Sequence, residues 1–184
     1  MQLTLPLTQS WLPEPEAGFL PGTVALSWAN GMLYLEVDLV DEEVISTSTA
    51  HGQRLWEHGD VVELFIQKEG ESGYSEYQVA PNGFTLSLRY PDITCVAAVR
   101  RGERAMEEFL TEEIPSAEVS KTDHGWRVSL SIPLPSTPGE RFRVSCCRYD
   151  AGSDRAPVIS STSSHPVRDF HRPQDWRKFI PVAG

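Results

Sequence analysis

Residues 23 to 40 constrain the fold most. Val24, Leu26 and Trp28 alternate with Thr23, Ala25 and Ser27; beyond Asn30-Gly31, Leu33, Leu35, Val37 and Leu39 alternate with Tyr34, Glu36, Asp38 and Val40. A period of two sends successive side chains to opposite faces of an extended strand, so each run has one apolar face. Asn-Gly supplies the two left-handed residues that a tight hairpin turn needs. The pair therefore predicts an antiparallel hairpin with one face toward a core.

The same period recurs along the chain. Val62, Leu64 and Ile66 face one way, and Val61, Glu63 and Phe65 the other. Tyr77 and Val79 lie opposite Glu76 and Gln78, and Pro81-Asn82-Gly83 turns the chain into Phe84, Leu86 and Leu88. A run from Val119 turns at Asp123-His124-Gly125 and resumes as Trp126, Val128, Leu130 and Ile132; Phe142, Val144 and Cys146 lead to Tyr149-Asp150. Leu3-Leu5-Leu7 and Phe179-Ile180-Pro181 read as short strands at sheet edges, where proline is tolerated. Only residues 102 to 111 lack strand character, and they read as a helical turn or as a charged loop rising into a strand near Phe109. The Ser160 to Ser164 cluster reads as a loop. About ten short strands, punctuated by 13 Gly and 14 Pro, predict an all-β fold. The expected architecture is an antiparallel two-sheet β-sandwich, immunoglobulin-like or jelly-roll-like, with at most one short helix, as a single domain over residues 1–184.

At 184 residues one core can bury roughly 70 % of the unfolded chain's surface, so neither disulfides nor metal are needed for stability. A net charge of −10 argues against nucleic acid and against anionic membrane surfaces as partners. Cys95 and the adjacent Cys146 and Cys147 fit neither a disulfide framework nor zinc spacing, and read as buried thiols. Met1 to Pro6 lacks the basic and apolar regions of an export signal, and no window reaches the length of a membrane span, so a cytoplasmic location is expected.

The candidate chemistry lies in loops and on one strand face. Trp56 sits among His51, Gln53, Arg54, Glu57 and His58, in more polar company than Trp28 or Trp126 inside alternating strands. It reads equally as a ligand platform or as a lid over one end of the sandwich. Glu63, in mid-strand between apolar residues, needs a partner if covered. Arg89, Arg143 and Arg148 are the cations available on later strands, and a Glu–Arg pair stands beside a direct ligand contact as the reading. Asp60 reads as a turn cap. Asp169 to Trp176 is rich in recognition-type residues, notably Phe170, His171 and Trp176, and also reads as a loop closing the sandwich. The five His lack metal-site spacing. No nucleophile elbow, phosphate loop or Cys–His context is present, and Asp60 and Glu63 fall on opposite faces of their strand, so no catalytic group is assigned.

The order Trp56, then Gly-Asp-x-Val-Glu-x-Phe-Ile at Gly59 to Ile66, then Tyr-x-Glu-Tyr-Gln-Val-x-Pro-x-Gly at Tyr74 to Gly83, then Phe-His-x-Pro-x-x-Trp at Phe170 to Trp176, resembles the family 9 carbohydrate-binding modules and their DOMON-like relatives. The resemblance implies a non-catalytic binding domain in which two Trp sandwich a terminal sugar, helped by a Glu, Arg and Asn. Trp56 and Glu63 match the first Trp and the Glu. The second aromatic is expected in Val158 to Ser164, which has no Trp; Phe170 and Trp176 are the alternatives, and Arg89 or Arg148 would supply the cation. The family also implies calcium, for which Asp41, Glu42 and Glu43 are the candidate ligands. DOMON relatives include haem domains with Met and His ligands, which here directs attention to Met32 and Met106. The competing expectation is a protein–protein interaction domain that keeps the sandwich without the sugar.

Overall fold

The computed structural model describes residues 2–137 and 139–181. The strands are β1 (Gln2–Pro6), β2 (Gly22–Ala29), β3 (Met32–Val40), β4 (Val61–Lys68), β5 (Tyr74–Val79), β6 (Thr85–Tyr90), β7 (Ser116–Thr122), β8 (Gly125–Pro133), β9 (Phe142–Asp150), β10 (Val158–Ser161) and β11 (Arg177–Phe179), with one helix, α1 (Ile93–Arg100), between β6 and β7. They form two antiparallel sheets. The first has the order β1-β2-β3-β8-β7; the second has the order β10-β9-β4-β5-β6, with β11 also paired to β9. The architecture is the β-sandwich that the alternation implies.

The Asn-Gly hairpin forms as expected, with Asn30 at φ 53 and Gly31 at φ 76, and pairs Ala29 with Met32. Its inward residues Leu26, Leu35 and Val37 are fully buried and meet Val62, Leu64 and Val79 of the second sheet. Trp126 is fully buried in this layer, while Trp28 is half-buried with its indole Nε1 donating to the Leu134 carbonyl.

The second sheet is covered on both faces, and this creates the site. Val61, Phe65, Tyr74, Leu86 and Leu88 point away from the first sheet into a second apolar layer. That layer is closed by α1, by a 3-10 turn at Met106–Phe109 and by residues 165 to 176. A strand covered on both sides reads as near-continuous burial; in β4 only Lys68 is exposed.

Two local expectations change. The short helix lies at Ile93–Arg100 rather than within 102 to 111, where the 3-10 turn takes the helical-turn reading. Ile93, Thr94, Val96 and Val99 favour strands, but the Asp92 carboxylate accepts from the Thr94 and Cys95 amides and caps the first turn. Of the Ser160 to Ser164 cluster, Ser160 and Ser161 belong to the buried strand β10, where they complete the ladder beside Arg148 and Cys147, while residues 162 to 164 are outside it as expected.

Candidate functional site

Gly59 and Asp60 set the position of the site. A Cβ on Gly59 would lie 2.2 Å from the Ile45 carbonyl oxygen, and its φ of +140 is one that L side chains rarely adopt. The Asp60 amide donates to the Ile45 carbonyl, and the Asp60 carboxylate accepts from the amides of Ile45 (2.6 Å) and Ala151 (2.7 Å). More than a turn cap, Asp60 staples residues 45–46 and 151 to the start of β4. It is fully buried, and burial pushes its carboxyl up to about 7. The 3-10 turn Leu55–Glu57 precedes this staple, with Leu55 fully buried as its anchor and Trp56 left half-buried.

Beneath Trp56 opens a cavity of about 410 Å3, walled by Arg54, Trp56, Tyr90, Arg100, Met106 and His171 and floored by Glu63, Glu76 and Gln78. A smaller adjoining hollow reaches Phe170 and Asp169. The floor follows from strand register: Glu63 on β4 pairs with Gln78 on β5, and Glu76 lies two residues from Gln78 on the same face. The Gln78 side-chain amide donates to Glu63 Oε1 (3.1 Å) and to Glu76 Oε1 (2.5 Å). Its own carbonyl oxygen and Glu76 Oε2 are buried without partners. Burial first, then the Glu76 charge, raises the Glu63 carboxyl well above the usual range. Burial likewise lifts Glu76 to about 7, against the opposing Gln78 hydrogen bond and Arg100 charge.

His171 comes from the C-terminal segment and crosses this face. Its Nδ1 lies 2.7 Å from the Tyr74 hydroxyl, and its Nε2 lies 3.9 Å from Glu76 Oε2. Burial, helped by the nearby Arg100 charge, lowers its pKa to about 3, so the imidazole is neutral. The Tyr74 hydroxyl thus takes up Nδ1, and Nε2 faces Glu76. Arg100, the last residue of α1, is held in a two-point ion pair by Asp169 (2.9 and 3.2 Å), which also accepts from the His171 amide.

The structure thus brings Trp56, Glu63, Phe170 and His171 to one region and separates the other candidates from it. Trp176 is buried beneath the site, tilted against Phe65 at 5.4 Å, with its Nε1 donating to the Phe170 carbonyl; it is core. Arg89 is exposed and pairs with Glu71. Arg148 pairs across from Val62, one residue out of register with Glu63, and therefore points to the inter-sheet side. There it is fully buried against Asp41 (3.0 Å) and Asp150 (3.3 Å) and donates to the Val40 carbonyl. The cations that do reach the cavity are Arg54 and Arg100, neither on a strand. Glu76, Gln78 and Arg100 were missed as site residues; the parity of β5 was a legible signal for the first two, and the Asp92 cap would have exposed the helix that carries the third.

The calcium expectation meets a different chemistry. Asp41, Asp60 and Asp150 bring carboxylate oxygens within 4.8 Å of one another, all buried. Those of Asp41 accept from the Glu43 amide, Trp126 Nε1 and Arg148; those of Asp60 hold two backbone amides; those of Asp150 face Arg155 and Arg148. Glu43 accepts from Ser153. A hard cation needs several free, convergent oxygens, and these residues do not fit one while the Arg148 guanidinium sits among them. Of the two methionines considered for haem, Met32 begins β3 at the hairpin, and Met106 is buried in the cavity wall near His171, whose Nδ1 is engaged by Tyr74. The three cysteines are free and buried.

No family model and no curated protein matches the chain. Solved structures do. A candidate carbohydrate-binding protein from Bacteroides uniformis superposes with a TM-score of 0.73 at 14 % identity, over 98 % of this chain and 86 % of that one. A family 9 carbohydrate-binding module from Caldicellulosiruptor kristjanssonii in complex with cellotriose gives a TM-score of 0.66 at 14 % identity, covering 92 % and 78 %. A family 9 module from the same organism in complex with glucose gives 0.66 at 13 %, covering 92 % and 80 %. The chain therefore has the fold of the family 9 carbohydrate-binding modules.

Proposed function

We propose that this chain is a non-catalytic sugar-binding domain that takes a terminal sugar residue into the cavity under Trp56. The observation that carries the reading is a cavity of about 410 Å3, within the range of small-molecule sites, that joins an aromatic wall to a floor with unpartnered buried oxygens at Glu76 and Gln78. Buried acceptors without partners cost free energy, so an occupant that supplies hydroxyl donors is favoured there. Trp56 and Tyr90 offer apolar area to the faces of a ring. The solved complexes of similar fold with cellotriose and glucose support the same ligand class.

The carbohydrate-binding modules of similar fold support a binding rather than a catalytic role. Glu63 and Glu76 hold one side-chain amide between them, a fixed polar surface on which a ligand can rest.

Isothermal titration with glucose, cellobiose and cellotriose tests the reading. Binding should be seen with the native chain and weaken at least about ten-fold in Trp56→Ala, which leaves the buried anchor Leu55 in place. Flat heats with every sugar would refute it.

A further inference from the structure

The cavity floor is specific about the kind of polar group it can satisfy. Its side-chain amide donor, on Gln78, is spent on Glu63 and Glu76, one hydrogen to each. The buried atoms left without partners, Glu76 Oε2 and Gln78 Oε1, are both acceptors. A hydroxyl brings one donor together with lone pairs for which the Gln78 amide has no hydrogen left, whereas an ammonium brings three donors and no acceptor. The charge balance points the same way. Arg100 is neutralised by Asp169, and Arg54 faces Glu57 (3.5 Å) and Glu107 (3.7 Å), so the cations at the rim are already paired. Among the described residues, Glu63 and Glu76 have no ion pair with an Arg or Lys, and the imidazole beside Glu76 is 3.9 Å away, beyond hydrogen-bond distance. Trp56 and Tyr90 in the wall add ring faces, which attract organic cations.

The geometry points to an amino sugar as the preferred ligand, its ammonium seated on the Glu76–Gln78–Glu63 floor and its ring against Trp56. This rests on the sugar-binding reading above and narrows it to a charged subclass.

The test is isothermal titration near pH 7, where a sugar amine is still largely charged and the Glu76 carboxyl, lifted to about 7, is part-ionised, with glucosamine, glucose and N-acetylglucosamine compared side by side. Glucosamine should bind at least about ten-fold more tightly than glucose, while N-acetylglucosamine, whose nitrogen carries no charge, loses that advantage. Glu76→Gln and Glu63→Gln keep the shape of the floor and remove one ionisable carboxyl each, the group whose charged form an ammonium favours. In either variant the ratio of glucosamine to glucose affinity should fall toward unity. Glucose binding as well as glucosamine would overturn the amino-sugar assignment and leave the sugar site standing. Silence from all three would overturn both. Ethanolamine completes the panel: if it matches glucosamine while glucose fails to bind, the site recognises amines rather than sugars and both readings fall.

Discussion

Stability should fall as the pH rises from about 6 to 8, opposite to a fold whose carboxylates are salt-bridged. The reason is that two buried carboxyls, Asp60 and Glu76, titrate at about 7 in the folded protein, whereas their ordinary values are 3.8 and 4.5. In this window the unfolded chain has already released both protons and the folded chain still holds part of them. Where the folded state binds more protons, raising the pH favours unfolding. For a folded pKa of 7 the change between about pH 6 and 8 is about 1.4 kcal/mol per group. Glu63, also raised well above its ordinary range, acts in the same direction. His171 opposes, because its folded pKa of about 3 lets only the unfolded chain lose a proton here, and it restores about 0.8 kcal/mol. His165, also lowered by burial, opposes too. The net expectation is a loss of roughly 2 kcal/mol, or a urea midpoint lower by about 1 M at the higher pH. Glu76→Gln isolates the pocket from the other groups, since it removes one titrating carboxyl and relieves Glu63 of its neighbour's charge. The drop between the two pH values should shrink by at least about 1 kcal/mol in that variant. A native profile that is flat or rises across the window, or a Glu76→Gln profile parallel to the native one, would refute the reasoning.

Three further outcomes are expected. Arg148→Met should cost about 3–5 kcal/mol in urea denaturation, because it leaves the buried Asp41 carboxylate without a guanidinium and Asp150 with Arg155 alone. Gly59→Ala should cost more than about 2 kcal/mol, measured the same way, since a Cβ there meets the Ile45 carbonyl and the backbone is left-handed. Leu64→Ala, at a fully buried position between the sheets, should cost about 2–5 kcal/mol, whereas truncating the exposed Ile114 should change stability by less than about 0.5 kcal/mol.

Alternation made the sandwich readable because it is local: each run from Val24 to Leu39 and from Val62 to Ile66 states which side of its own strand is covered. It even marked Glu63 and Phe65 as sharing a face, which they do, pointing at the second layer. What alternation lacks is the offset between strands. Arg148 looked like a partner for Glu63 until β9 was set against β4, when Cys147 took that place and Arg148 turned inward. Arg89 fails in the same way, since β5–β6 pairing puts Leu88 opposite Glu76. The layer that turns a sheet face into a pocket was the least legible. It is built from α1, the Met106–Phe109 turn and residues 165 to 176, segments with no period of their own that are ordered by what they cover. The Phe170-to-Trp176 motif could be recognised, but the division of labour within it could not: Trp176 supports, while His171 faces the cavity.

The cavity draws its floor from β4 and β5, yet one wall arrives with His171, about a hundred residues later in the chain. On a ribosome the glutamates are made long before the segment that encloses them, so the cavity is absent until residues 165 to 176 have docked onto Phe65 and Tyr74. On the proposed reading, occupancy of the cavity and the seating of that segment are linked: a bound ligand holds it in place, and a segment that frays lets the ligand go. Amide exchange at residues 169 to 176 should then slow on loading more than exchange anywhere between the two sheets.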